Sequence, residues 1–466
     1  MLGMGNMRQW LMNISLVGGW FPAAAFAVVA VLSVTLLVSA AVSKRDGRIL
    51  ATVLPIGVAA VSGMVGYVVA WLLSDVFVVF GVGLGSRVMS WVAAGFAIAG
   101  FAIVHIVLSR GMMRVAAAIL TVFAILAAAI GIDQLYGEYA TIGSLFGEDS
   151  YSQADLTGLA KRKDLITVAQ WRKQAANGTI RNIPANGTVN KIDIPATKSQ
   201  FEARKALVYL PPAALADSKR KPALPVVLML SGQPGSPGRV FQAGGIQTMM
   251  DGYAKTHDGL APIVIAADQL GADSHNTLCV DSKVYGNALT YLTQDVVDWV
   301  KTNLPAAQDA KDWAIAGFSQ GATCSLQIGV NHPDLFGTMI PTDSEIKPTN
   351  GSRQEMIDRF FDGDTTAYEN QVPVNAIRNH APTHQMLIIG AGEKDTTSIR
   401  NVKTIAPVAA KAGMRVAAVE SSGNAHDWHA VQDVLRYGLA VFGHDTGLDG
   451  ANPNLSDYPN LKRITI

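Results

Sequence analysis

Trp313-Ala-Ile-Ala-Gly-Phe-Ser-Gln-Gly321 is the stretch that decides how this 466-residue chain folds. Trp313–Phe318 is a short apolar run of strand type, and it leads straight into Gly-x-Ser-x-Gly at Gly317–Gly321. A helix-like stretch follows, with Ala322, Leu326 and Ile328 as its apolar residues. So short a motif also arises by chance, so the strand before it and the helix after it carry the reading. A tight strand-to-helix turn drives its serine into strained backbone angles, and flanking glycines remove the Cβ clashes that would block it. The helix N-terminus adds a positive field where an oxyanion would develop. Ser319 is therefore read as a nucleophile rather than as a serine in an ordinary turn.

A serine hydroxyl needs a base, and the base needs an orienting acid. Behind an elbow of this kind the partners arrive in the order serine, acid, histidine. The run Met386–Gly390 is followed by Ala-Gly-Glu393-Lys-Asp395, and Arg415–Val419 by a loop reaching His426-Asp-Trp-His429. These positions assign His426 as base and Asp395 as acid, with Glu393 the alternative acid and Asp343 third. His429 follows Trp428, where the last helix should already have begun, so His426 is preferred. The oxyanion donors are expected to be the backbone N–H of Gln320 and one from Ser231-Gly-Gln-Pro-Gly-Ser236. Pro234 has no N–H, which leaves Gly232 or Gln233, with Gln233 preferred.

Working outward, strand-like runs recur at Ala206–Leu210, Val226–Leu230, Ile263–Ala266, Met339–Pro341, Met386–Gly390 and Arg415–Val419. Helical patterns at Leu289–Lys301, Ala322–Asn331, Ser398–Ala412 and Trp428–Phe442 separate or follow them. The alternation predicts a largely parallel sheet with helices on both faces. Residues between Pro348 and His384 read as irregular and polar, either a cap or a surface excursion. The remaining histidines are scattered, and Pro382 interrupts the pair His380 and His384, so neither metal nor cofactor is expected.

The N-terminal third has a different composition. Only 16% of the whole chain is charged, and few of those residues fall before residue 136. Four apolar stretches, near 20–42, 49–73, 87–108 and 115–135, are long enough to cross a hydrocarbon core of roughly 20 residues per helix. The run Leu11–Val17 is too short for a fifth, and suits the interface with Trp10 and Trp20 at headgroup level. One apolar run would suit a cleaved leader, but four suit membrane spans better. His105 and Asp133 lie near helix ends, where they are expected to snorkel, and small residues to pack the helices. Lys44, Arg45 and Arg48 mark the first connection, and Arg110 and Arg114 the third; Arg87 and Asp75 flank the second. Positive connections stay inside, which predicts an extracytoplasmic position for everything after about residue 136. A net charge of +1, with no basic tract, argues against a nucleic-acid partner.

Several segments resemble the esterase family of α/β-hydrolases that includes esterase D and the mycolyltransferases of mycolate-bearing bacteria. The resemblance covers roughly residues 200–445 and is carried by Lys205-Ala-Leu-Val-Tyr-Leu-Pro-Pro212, Asn276-Thr-Leu-Cys-Val-Asp-Ser282, Gly317–Gly321 and His426-Asp427-Trp428. It implies an α/β-hydrolase fold, and a base followed two positions later by Trp, which is His426. Four membrane helices ahead of such a domain resemble envelope esterases of actinobacteria. Ser231-Gly-Gln-Pro-Gly235 departs from the mycolyltransferase pattern.

The expected organisation is an all-α transmembrane bundle over 1–135, a connector over 136–200 and an extracytoplasmic α/β-hydrolase domain over 201–466. Cys279 and Cys324 flank the elbow strand, and an outward-facing domain permits a disulfide between them; two buried thiols are the alternative. The expected function is hydrolysis of a carboxylic ester in a membrane lipid or cell-wall component, such as aminoacyl-phosphatidylglycerol. Acyl transfer of mycolyltransferase type is one alternative, and a non-catalytic envelope or transport component is another.

Overall fold

The computed structural model describes residues 2–42, 48–77, 84–149, 151–160, 164–180 and 182–466. The chain divides into two compact units, Met1–Glu148 and Asp149–Ile466.

In the first unit, four helices are long and apolar enough to cross a membrane: Trp20–Val42, Thr52–Val76, Gly85–Leu108 and Met112–Tyr136. Most of the positively charged first connection, residues 43–47, lies outside the described residues. Small residues let the helices approach: a Cβ on Gly100 would strike Ser62, and one on Gly131 would enter the Trp91 ring. Trp10 and Trp20 stack at 6.4 Å between ring centroids and stay exposed. His105 does not snorkel. It is buried, with its ring 4.6 Å from that of Phe101 one turn back on the same helix. Asp133 closes its helix instead, accepting the Tyr139 N–H at 2.9 Å.

The second unit is built on a ten-stranded sheet. In chain order the strands are β1 (Ser152–Gln153), β2 (Thr188–Ile192), β3 (Ala206–Leu210), β4 (Val226–Leu230), β5 (Ile263–Ala266), β6 (Trp313–Phe318), β7 (Thr338–Thr342), β8 (Met386–Gly392), β9 (Arg415–Ser421) and β10 (Leu461–Arg463). Their spatial order is β1-β2-β3-β5-β4-β6-β7-β8-β9-β10. β5, β4, β6, β7, β8 and β9 run parallel; β3 is antiparallel to both its neighbours, and β10 is antiparallel to β9. The central strands are buried along their whole length, so they read as continuous Val/Ile/Leu/Ala runs rather than alternating ones. One core packs on each face: Leu228, Ile315 and Leu387 point to one, and Val227, Ala316 and Ile388 to the other.

Two segments differ from the sequence reading. The expected connector, 136–200, has no separate existence: its residues from 149 onward belong to the second unit and supply β1 and β2. Trp171, Ile192 and Ile194 bury themselves in the core, and that tertiary burial outweighs the local loop signal of the Asn-Gly pairs. The piece between Pro348 and His384 is mainly helical, at Arg353–Phe360, Thr365–Glu369 and Pro373–Asn379. Its apolar residues Met356, Ile357, Phe360 and Tyr368 form a small cluster with Leu278 and Val280, a partnership invisible in local composition.

Candidate active site

Ser319 sits at the turn between β6 and the helix Gln320–Asn331, with φ +55° and ψ −116°. Such backbone angles cost a non-glycine residue on the order of 1–3 kcal/mol and persist only where the surroundings impose them. Here the surroundings are the two glycines of the motif. A Cβ on Gly321 would collide with the Ser231 carbonyl and come within 2.6 Å of the Leu230 oxygen, and one on Gly317 would run into Gly321. The Ser319 N–H donates to the Thr342 carbonyl at 3.0 Å, which ties the elbow to the end of β7.

The loops after β8 and β9 bring two more side chains to Ser319. His426 Nε2 lies 2.9 Å from Ser319 Oγ, and Nδ1 lies 2.7 Å from Asp395 Oδ2. When Nδ1–H donates to the carboxylate, Nε2 is left to accept the serine proton. Asp395 caps the helix Thr396–Lys411: its Oδ1 accepts the Thr397 and Ser398 N–H groups at 3.1 and 3.0 Å. Its Oδ2 also accepts the Ser398 hydroxyl at 2.6 Å. Burial alone would raise this carboxyl, but the hydrogen bonds from His426 and Ser398 outweigh it and hold Asp395 below its ordinary range. His426 shows the reverse balance. Burial opposes its charged form, while the hydrogen bond to Asp395 and the neighbouring carboxyl groups of Asp343 and Asp427 favour it, and the net shift is upward.

The alternatives go elsewhere. Glu393 is turned to the surface, where it accepts the Gly423 N–H at 2.7 Å and pairs with Lys462 at 2.9 Å. His429 lies in the first turn of the helix Trp428–Asp445, which Asp427 caps by accepting the Ala430 N–H at 3.0 Å. Asp427 also accepts the Ala425 N–H at 2.7 Å, and so shapes the loop that carries His426. Phe318 lies 5.0 Å between ring centroids from both His426 and Trp428.

On the other side of Ser319, Gln320 opens its helix, and a first-turn N–H has no intrahelical acceptor. Its side chain is held from several directions. It accepts from Gln269 at 3.2 Å and donates toward Asn276 at 3.3 Å and the Cys324 sulfur at 3.2 Å. Cys279 and Cys324 are joined in a buried disulfide with Cα atoms 5.7 Å apart, linking the loop after β5 to the elbow helix. Gly232 faces Ser319: a Cβ there would sit 3.5 Å from Ser319 Cβ. Gln233 comes next and turns its side chain to the Ser274 carbonyl at 3.2 Å.

Sequence reasoning did not single out Gln269 or Glu345. Gln269 also donates to the Ser231 carbonyl at 2.7 Å, bracing the loop after β4. Its one sequence signal is the polar pair Asp268-Gln269 directly after an apolar strand. Glu345, pushed up to about 7 by burial despite the opposing pull of His426, carried no such signal. Asp343 is buried at the end of β7 and is pushed up to about 8, by burial first and by the Asp395 charge as well. Among the described residues, Asp343, Asp395 and His426 are the side chains close enough together to offer three ligands to one ion. His426 Nδ1 is already committed to Asp395 in that group.

The putative esterase family matches residues 198–438 of the chain. An uncharacterized protein of Corynebacterium glutamicum is 32% identical over 333 residues, which cover 70% of this chain and 74% of that protein. Among solved structures, a ferulic acid esterase aligns with 57% of this chain and 99% of its own at 16% identity and a TM-score of 0.44. An S-formylglutathione hydrolase from Agrobacterium tumefaciens aligns over the same shares at 17% identity and a TM-score of 0.45. With the sheet order, the elbow and this family match together, the chain belongs to the putative esterase family and is a serine hydrolase of α/β-hydrolase fold.

Proposed function

We propose that the protein is a membrane-anchored, extracytoplasmic serine esterase that hydrolyses a carboxylic ester of a cell-envelope lipid, such as an aminoacyl-phosphatidylglycerol. The observation that carries the chemistry is the continuous path Ser319–His426–Asp395, at 2.9 and 2.7 Å. Ser319 Oγ attacks the ester carbonyl as its proton passes to His426 Nε2, and Asp395 holds the imidazole in the required tautomer. The oxyanion is stabilised by the backbone N–H groups of Gln320 and Gln233. Collapse expels the alcohol with the proton from His426, and a water activated by the same base then releases the acid. The four apolar helices and the positive first and third connections support the tether and its orientation.

A fluorophosphonate probe should label the folded protein, and Ser319→Ala should abolish labelling; a labelled alanine variant refutes the nucleophile. Comparing the lipids of cells with active and Ser319→Ala enzyme should then reveal one ester that accumulates. If an added alcohol acceptor diverts most of the acyl group from water, the enzyme is an acyltransferase instead.

A further inference from the structure

We propose that Asp343 is a second orienting acid, a positioning residue that shares His426 with Asp395 and takes over when Asp395 is removed. This rests on the reading of Ser319, His426 and Asp395 as the catalytic set.

Asp343 is the first residue after β7, beside the strand that delivers Asp395. One carboxylate oxygen, Oδ1, accepts the Gly392 N–H at 2.9 Å. The Gly392 carbonyl in turn accepts the Asp395 N–H at 2.9 Å, so one glycine couples the two acids. That glycine is also pressed against the base loop, since a Cβ on it would strike the Ala425 carbonyl. Asp343 therefore fixes the strand end from which both the acid loop and the base loop take their positions.

Its other oxygen has no such structural use. Oδ2 is buried and without a hydrogen-bond partner among the described residues. Yet the carboxylate oxygens of Asp343 and Asp395 and a ring nitrogen of His426 lie within 4.8 Å of one another. The residue also holds a φ of +55°, strained for a non-glycine. An unsatisfied buried oxygen and a strained backbone both cost stability, and stability alone gives no reason to keep them together.

The groups facing this carboxyl are His426 from the loop after β9, Asp395 from the loop after β8 and Asp427 from the helix start beyond His426. Glu345, two residues along its own loop, faces His426 as well. Two carboxylates this close resist ionising together, so Asp343 keeps its proton while Asp395 is charged. If Asp395 becomes neutral, that repulsion disappears. Asp343 then ionises more readily and supplies the negative charge that steadies the imidazolium.

The test is a cycle of Asp395→Asn, Asp343→Asn and the double variant in the full chain, read as kcat and KM on a p-nitrophenyl ester across pH. Asparagine at 343 retains an oxygen for the Gly392 N–H. Loss of an unsupported orienting acid costs about 10⁴-fold in kcat. The expectation is a loss of about 10²-fold for Asp395→Asn, a few-fold for Asp343→Asn at unchanged KM, and about 10⁴-fold for the double variant. The residual activity of Asp395→Asn should also rise with pH by a step that the double variant lacks, over and above the deprotonation of His426 that both share. Equal factors for Asp343→Asn in both backgrounds overturn the proposal, as does a pH profile of Asp395→Asn with the same shape as that of the double variant. Ser319→Ala runs alongside: if it keeps full activity, the catalytic reading itself has failed, a different result from either of these.

Discussion

Removing the disulfide offers the sharpest test of how the elbow is held. Cys279 and Cys324 are 45 residues apart in sequence, and both are buried. Closing a loop of that length removes unfolded-state entropy equivalent to about 4 kcal/mol at 25 °C in the chain-entropy account. For a unit of this size that corresponds to a fall in Tm of roughly 8 °C, at the low end of the usual 2–4 °C per kcal/mol. Cys279→Ala/Cys324→Ala should therefore lose its activity on heating several degrees below the wild type. Residual fluorophosphonate labelling after a timed heat step reads the hydrolase unit alone, whatever the four long apolar helices do. Activity at 25 °C should fall less, because Gln320 keeps Gln269 and Asn276 after losing the Cys324 sulfur. Reductant added to the native protein should have little effect, since neither sulfur is accessible. Equal inactivation midpoints for variant and wild type would refute the reasoning. So would two titratable thiols in non-reduced, denatured protein, which would show that no bond had formed.

Gly321→Ala should abolish esterase activity, because its Cβ has no room against the Ser231 and Leu230 carbonyls and backbone atoms cannot step aside; an active variant would mean the elbow is looser than its contacts imply. Glu393→Ala should change kcat/KM no more than about two-fold, as expected for an exposed ion pair, whereas Asp395→Ala should lose most activity; the opposite ranking would reassign the acid. The base must be neutral to accept a proton and its pKa is raised above 6.5, so kcat/KM should fall with acidification at a midpoint above pH 6.5. A midpoint below that value contradicts the described surroundings of His426. Asp343 is harder to ionise folded than unfolded, so its contribution is fully present below its ordinary pKa of 3.8 and is lost as pH rises through about 8. Asp343→Asn should accordingly melt above the wild type at pH 9, with the gap closing toward pH 4; a gap that is constant with pH would show that the carboxyl does not titrate there.

Sequence alone determined the features that repeat locally or follow one another in order. The apolar runs of the parallel strands and of the four long helices are legible because elements apolar on every side leave continuous runs whose length tells strand from long helix. Ser319, Asp395 and His426 were legible because each follows a strand end in the fold's order, and strand ends are where a parallel sheet gathers its loops. Tertiary structure alone decided what depends on partners distant in sequence. The mostly polar Thr188–Ile192 becomes β2 because β3 pairs with it, and Trp171 marks the supposed connector as core. The helices after Pro348 find their apolar partners in Leu278 and Val280, on another loop. Glu393 and Asp395, two residues apart, were separated by the turn that sends one to Lys462 and the other to His426. Asp343 ranked third as an acid by order along the chain. Its nearness to both Asp395 and His426 exists only because β7 and β8 are neighbours in the sheet, a relation set by hydrogen bonds between strands rather than by any local pattern.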